Sequence, residues 1–340
     1  EKKFRNNVFP TIGKEIIGNL SPETLTNLLD NLYYDKKRSF SSVSNLHSLL
    51  LSMAKYAVKK GYLESFDRDE FPVPKRDEDA AMEEHNEQNR DTVPAEKLDA
   101  IFERFDENSS VFLPMVISLL AGARIGEACA IAVEDCDFEN RLLHIRRQFT
   151  ADNKFQICNP KNNSKRVVPM CDSLYEILKA AVEKRERNMR EWGGNYIRTY
   201  LKKANNTPTY RNLHGFYDIN YDGNGNEIHF LNVTEYGKII YPSVLKHSAR
   251  VIHGYSTNPK NKKKRGKAIY NYYNNHSLRH TFASRLNSLG VPDYVISALL
   301  GHKKQASQNA SRTTQKYIHL SNEDLLKYAP IIEKVYTFKK

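Results

Sequence analysis

The apolar residues of this chain keep helical spacing through its first sixty positions and then change rhythm twice. Ser21-Pro22-Glu23 is a helix start with proline at the first helical position, and Leu25, Leu28, Leu29 and Leu32 then share a face. A second helix is expected from about Ser42 to Lys60. Leu46, Leu49, Leu50, Met53 and Val58 form its apolar set, and Gly61 stops it. From Asp67 to Val93 the pattern lapses into charges around Pro72 and Pro74, which predicts an extended linker. The expected division is a helical domain over 1–66, a linker over 67–93 and a second domain over 94–340.

The second domain mixes periods. Pro94 opens a helix carrying Leu98, Ile101, Phe102 and Phe105, and the apolar run from about Val111 to Leu120 reads as a buried helix. Three strand signals follow, separated by polar turns: Leu142 to Phe149, Phe155 to Cys158 and Arg166 to Met170. A long helix is expected from Ser173 to about Trp192, then a stretch rich in Asn, Tyr and Gly over 193–235. Within it, Asp218 to Gly223 imitates the start of a calcium loop, but position twelve is His229 where the ion needs a bidentate Glu. A β-hairpin turning at Asp222-Gly223-Asn224-Gly225 is the expectation there. Further helices are expected from about Thr234 to His253, from Ser277 with Phe282, Leu286 and Leu289 on one face, and from Pro292 to Leu300. The tail over 322–340 opens with an amphipathic helix bearing Leu325, Leu326, Ile331, Ile332 and Val335, interrupted at Pro330. The fold class is mainly α with a small antiparallel β-sheet (α+β), in two domains.

Charge narrows the partner. The 340 residues carry a net +12, which suits a polyanion. Residues 67–91 hold ten acids against four bases, a net of −6, so the remainder carries +18. Lys260 to Lys267 is a basic run in which Lys262, Lys263, Lys264 and Arg265 are candidate phosphate contacts. No apolar run approaches membrane-spanning length and no signal peptide pattern is present, so no membrane partner is expected. The first residue is Glu1 rather than Met, and the expectation is a piece of a longer protein. Cys129, Cys136, Cys158 and Cys171 form no Cys-x-x-Cys pair and have no His at zinc-finger spacing, so free thiols in a reducing cytoplasm are expected, with no metal.

The candidate chemistry gathers between residues 275 and 321. In His276-Ser277-Leu278-Arg279-His280, Ser277 can cap a helix, and Arg279 and His280 then fall in its first turn. Leu300-Gly301-His302 follows, and Tyr317 comes fifteen residues later. A pentavalent phosphorane needs donors on its nonbridging oxygens, a nucleophile in line and an acid for the leaving oxygen. Arg supplies a planar fork for two phosphate oxygens. His shuttles protons near neutral pH. A Tyr hydroxyl becomes a nucleophile only beside cations or a base.

These boxes, in this order, resemble the tyrosine recombinases, the phage integrase family. His276 to Ser284 is similar to the family's His-x-x-Arg box, Leu300-Gly301-His302 to its Leu-Gly-His box, and Thr313 to His319 to its nucleophile segment. Ala121-Gly122-Ala123-Arg124-Ile125-Gly126-Glu127 resembles the segment of its first catalytic Arg, with Glu127 and Asp135 as supporting acids. The resemblance implies that Tyr317 attacks a DNA phosphate, that Arg124 and Arg279 clamp it, and that His276 and His302 assist. The resemblance further implies a general-acid Lys on the hairpin before Val167-Val168-Pro169; Lys161 matches its place, and Lys165 is the competitor. It also implies a two-domain clamp on double-stranded DNA, with residues 1–66 as the helical core-binding domain and 94–340 as the catalytic domain. Residues 193–235 are an insertion in the latter. Neither metal nor nucleotide cofactor is implied. Assembly on DNA as a dimer to tetramer is, with the C-terminal tail docking on a neighbour. The function implied is integration and excision of a mobile element. A type IB topoisomerase and a catalytically inactive DNA-binding regulator are the alternatives. The interval from His302 to Tyr317 is about five residues longer than the family leads one to expect.

Overall fold

The structure, a computed structural model, describes residues 2–77, 92–150, 155–201, 210–217, 226–256, 266–274, 276–302 and 320–338. The chain divides into two compact units, Glu1–Glu87 and Gln88–Lys340. It is mainly helical, as its apolar pattern predicts, but the described strands form two small antiparallel sheets where one was expected.

The first unit holds α1 (Lys2–Asn7), α2 (Phe9–Ile12), α3 (Pro22–Asp30) and α4 (Phe40–Lys59). Ser21 Oγ accepts from the Thr24 N–H at 3.1 Å and caps α3, whose Leu25, Leu28 and Leu29 are buried. Ser39 caps α4, which buries Val43, Leu46, Leu50, Ala54 and Ala57. Leu49 (41 % exposed) and Val58 (36 %) fall outside that stripe, a correction to the expected apolar set. The expected linker also begins later than its composition indicates. Phe71 is 1 % exposed and belongs to this unit's core, and His47 Nε2 donates to its carbonyl at 2.8 Å. The Asp77 N–H donates to Tyr33 Oη at 3.0 Å. One buried aromatic thus holds residues 67–77 on the helices; the rest of the acidic stretch, 78–91, lies outside the described residues.

The second unit carries the larger core. Its helices are α5 (Ala95–Arg104), α6 (Phe112–Leu120), α7 (Ile125–Cys129), α8 (Asp172–Trp192), α9 (Pro242–Ile252), α10 (Ser277–Ser288), α11 (Asp293–Leu300), α12 (Asn322–Leu326) and α13 (Ala329–Glu333). Seven of the nine residues of α6 are buried, and α10 packs across it. The strands are β1 (Cys136–Asp137), β2 (Leu142–Ile145), β3 (Gln148–Phe149), β4 (Gln156–Cys158), β5 (Arg166–Pro169), β6 (Ile197–Leu201), β7 (Tyr210–Tyr217) and β8 (Asn226–Glu227). One sheet has the order β1-β2-β5 and the other β3-β4-β7-β6-β8.

Three expectations are corrected here. The strand expected over Leu142 to Phe149 breaks at Arg146-Arg147 and crosses from one sheet to the other. Both arginines turn to one carboxylate: Arg146 Nε lies 3.0 Å from Asp135 Oδ1, and Arg147 grips Asp135 at 2.9 and 3.0 Å. Adjacent side chains of a regular strand face opposite ways and could not do this. Next, β7 and β8 do not form the expected hairpin, because each pairs with β6, on its two sides; Asp222 to Gly225 lie outside the described residues. Finally, the helix expected from Thr234 begins only at Pro242, after a segment bridged at Val233–Ile239.

The tail packs on its own chain. Leu325, Ile332, Val335 and Tyr336 are buried in the core. Tyr336 Oη donates to Asp99 Oδ1 at 2.9 Å, and Glu333 Oε2 accepts the Ser173 N–H at 2.9 Å at the start of α8.

Candidate active site

The site is built at three chain reversals. The first follows α6. Gly122 turns with φ +59°, and a Cβ there would lie 2.6 Å from Phe282 Cδ1 and 2.9 Å from Leu300 Cδ2, so only glycine fits between α10 and α11. This turn sets Arg124 as the N-cap of α7. Glu127, three residues on, accepts the Arg124 N–H at 2.9 Å and Arg124 Nη1 at 2.9 Å, half of a capping box made ionic. Its carboxylate is fully buried, whereas the Arg124 side chain is 20 % exposed.

The second reversal opens α10. His276 is its N-cap residue, exposed, with its N–H donated to Asn274 Oδ1 at 2.7 Å. Ser277 is the first helical residue rather than the cap, and its Oγ accepts from the Asn274 N–H at 2.9 Å. One turn into the helix, Arg279 is buried. Nη1 donates to Gly122 O at 2.6 Å, and Nη2 donates to Leu300 O at 2.7 Å and to His302 Nε2 at 3.1 Å. The third reversal ends α11, where Gly301 is left-handed at φ +66° and His302 follows it, exposed.

The electrostatics follow from that packing. Burial alone would raise the Glu127 carboxyl; the hydrogen bond and charge of Arg166, with those of Arg124, overcome it and hold the pKa below the ordinary carboxylate value. Burial, reinforced by Arg124 and Arg166, lowers Arg279 to about 9, which leaves it cationic at neutral pH. Burial and then Arg279, Arg124 and Arg166 lower His302. Arg279 has only donors to offer, so a neutral His302 accepts at Nε2 and carries its proton on Nδ1. Three guanidiniums surround one carboxylate: Arg124 at 2.9 Å, Arg166 at 2.7 Å and Arg279 at 3.9 Å. The excess of positive charge fits an anion.

The structure therefore brings together Arg124, Arg279 and His302. Lys161 and Lys165 are exposed on the turn between β4 and β5, beside His302's reversal: a Cβ on Gly301 would lie 3.1 Å from Ser164 Cβ. Tyr317 lies outside the described residues, as do Lys262, Lys263, Lys264 and Arg265. Arg166 was missed by sequence reasoning, which placed it only as the first residue of a strand. Its signal was alternation, because period two puts it on the face of buried Val168.

The profile of the phage integrase family matches residues 93–324, which spans every one of these reversals and more than half of the chain. The chain belongs to the phage integrase family. Among its relatives, the transposase from transposon Tn916 of Enterococcus faecalis is 27% identical over 242 residues, 67% of this chain and 49% of that protein. A XerC-like tyrosine recombinase of Caldanaerobacter subterraneus is 25% identical over 304 residues, 85% of this chain and 65% of that protein. The chain thus spans about half the length of the Tn916 transposase. Among solved structures, the Tn1549 transposon integrase in complex with transposon right end DNA shares the fold with a TM-score of 0.51 and 17% identity, over 98% of this chain and 90% of that one. A lambda integrase dimer bound to a COC′ core site does so at 0.51 and 14%, over 89% and 82%. Within this phage integrase family member, Cys129, Cys136, Cys158 and Cys171 are free thiols. No described helix is long and apolar enough to cross a membrane.

Proposed function

We propose that this chain is a site-specific DNA recombinase that integrates and excises a mobile element through a 3′-phosphotyrosyl intermediate. The observation that carries the reading is the cluster at Glu127, where three arginines share a single carboxylate and Arg124 stays partly open to solvent. A phosphodiester supplies the missing negative charge, and the arginine forks suit its nonbridging oxygens. Tyr317 attacks phosphorus, the P–O bond to the tyrosine forms, and the bond to the 5′ oxygen breaks. Lys161 protonates that 5′ oxygen. Arg124 and Arg279 hold the phosphate, His302 donates to it from Nδ1, and His276 assists proton transfer at the tyrosine. The ester conserves the bond energy, so strand exchange needs neither nucleotide nor metal. A 5′-hydroxyl from a second duplex reverses the step.

Double-stranded DNA is the partner in this reading, gripped by residues 1–66 on one side and the catalytic domain on the other. Lys165 and Lys262 to Arg265 contact its phosphates. Two to four copies assemble on the DNA in the bacterial cytoplasm. The tail, now packed through Leu325, Ile332, Val335 and Tyr336, leaves its own core for a neighbour's. The test is a suicide duplex nicked next to the cleavage point, offered to the wild type and to Tyr317→Phe. A denaturation-resistant adduct is expected with the first and none with the second. DNA binding without any adduct makes the chain a regulator, and relaxation of supercoils without exchange between two duplexes makes it a topoisomerase.

A further inference from the structure

Arg166 belongs to no part of the mechanism above, yet it is among the most heavily bonded side chains at the site. At 5 % exposure it is too enclosed to touch DNA. Nε donates to Leu299 O at 2.7 Å, Nη2 to Glu127 Oε2 at 2.7 Å and to Gly122 O at 3.5 Å, and Nη1 to Ser164 O at 3.4 Å. Those acceptors belong to three separate pieces of chain. Leu299 O lies at the end of α11, which presents His302. Glu127 and Gly122 flank Arg124. Ser164 lies on the turn that carries Lys161.

The turn meets this anchor through Ser164. Asn162 and Asn163 are both left-handed, at φ +61° and +55°; inside the turn the Asn163 N–H donates to Pro160 O at 2.9 Å, while the Ser164 N–H reaches Lys161 O at 3.4 Å, the same length as the Arg166 Nη1 bond to Ser164 O. Close packing adds to the hold, since a Cβ on Gly301 would fall 2.9 Å from Arg166 Cδ. A planar fork with five donors can serve acceptors on several sides at once; a lysine ammonium on its flexible stem cannot hold that geometry.

We propose that Arg166 is a positioning residue for leaving-group protonation: it locks the Lys161 turn to the reversals bearing Arg124 and His302, so that the lysine meets the 5′ oxygen while the phosphate is clamped. This rests on the recombinase reading. The clamp keeps bonds that do not involve Arg166, Arg124 to Glu127 and Arg279 to Gly122 O and Leu300 O, so loss of Arg166 is expected to resemble loss of the general acid more than loss of the clamp.

The test compares two suicide duplexes under single-turnover conditions, one ordinary and one with sulfur in place of the 5′ bridging oxygen. In the second, the tyrosine–phosphorus bond forms and the phosphorus–sulfur bond breaks. Sulfur leaves with its electron pair as a thiolate and needs no proton, because a thiol is a far stronger acid than an alcohol. On the ordinary duplex, Arg166→Lys and Arg166→Ala should cleave about 100-fold more slowly than wild type, the low end of what general acid catalysis supplies. On the sulfur duplex both should recover to within about tenfold of wild type, as Lys161→Ala should, whereas Arg124→Ala stays slow on both. Arg166→Lys retains the cation and carries the comparison if Arg166→Ala does not fold. Equal defects on the two duplexes, or no defect on the ordinary one, overturn the inference. A wild type that yields no adduct on either duplex overturns the recombinase reading first, and this inference with it.

Discussion

The sharpest test of the site's construction is Glu127→Gln. The wild-type carboxylate is fully buried and accepts from the Arg124 backbone and Nη1 at 2.9 Å each and from Arg166 Nη2 at 2.7 Å, with Arg279 Nη1 at 3.9 Å. The amide keeps the shape but removes the negative charge that three guanidiniums share, and its NH₂ must face one of them. Breaking a buried ion pair by neutralising one partner costs roughly 3–5 kcal/mol. A folded unit of this size loses about 2–4 °C of Tm per kcal/mol, so the catalytic unit's unfolding midpoint should fall by roughly 6–20 °C. Differential scanning calorimetry of the full chain at pH 7.5 reads this directly. Two further signatures belong to the charge itself. Glu127's folded pKa lies below its ordinary value of 4.5, so the wild-type advantage is fully present above about that pH and shrinks as the pH falls through the lower folded value. Adding Arg166→Met to Glu127→Gln should destabilise less than the sum of the single changes, by roughly 0.5–3 kcal/mol, because one unpaired cation is removed. A midpoint shift under about 2 °C would refute the view that Glu127 holds the cluster together.

Gly122→Ala should lower stability by roughly 2–4 kcal/mol, combining a left-handed φ with a clash against Phe282; an unchanged calorimetric midpoint would contradict the described turn. Cleavage should weaken at acid pH, below His302's ordinary value of 6.5, because protonating a histidine whose folded pKa is depressed breaks its acceptance from Arg279; a single-turnover rate that does not decline on acidification before the protein unfolds speaks against this. Tyr336→Phe removes the bond to Asp99 and should cost about 1–2 kcal/mol in free protein, read as a lower urea midpoint. Replacing Lys262, Lys263, Lys264 and Arg265 with Ala should flatten the log–log salt dependence of DNA affinity by up to about 3.6, at about 0.9 for each phosphate no longer neutralised; an unchanged slope removes the run from the interface.

Much of the site is legible along the chain because local rules build it. Arg124 caps a helix whose N3 residue is an acid, His276 and Arg279 lie one turn apart, and His302 follows a glycine that ends a helix. Each is a short-range pattern of caps and reversals. The long apolar helices are legible for the same reason. The break at Arg146-Arg147 is not, because its cause is Asp135, eleven and twelve residues away in sequence and on a different element. Nor is the order β7-β6-β8, since two strands flanking a third leave no signature in the connection between them. Phe71 looks like a linker residue among prolines and acids until a pocket closes over it.

The sequence by itself determined the helical rhythm, the residue types at the reversals and the excess of positive charge, since periodicity, capping and composition act over a few residues. Only the tertiary structure decided which of many arginines are buried, that Glu127 would hold three of them, and that the tail lies on its own core. Those outcomes depend on surfaces brought together from distant parts of the chain. The energy of a buried charge is set by what encloses it and not by its neighbours in sequence.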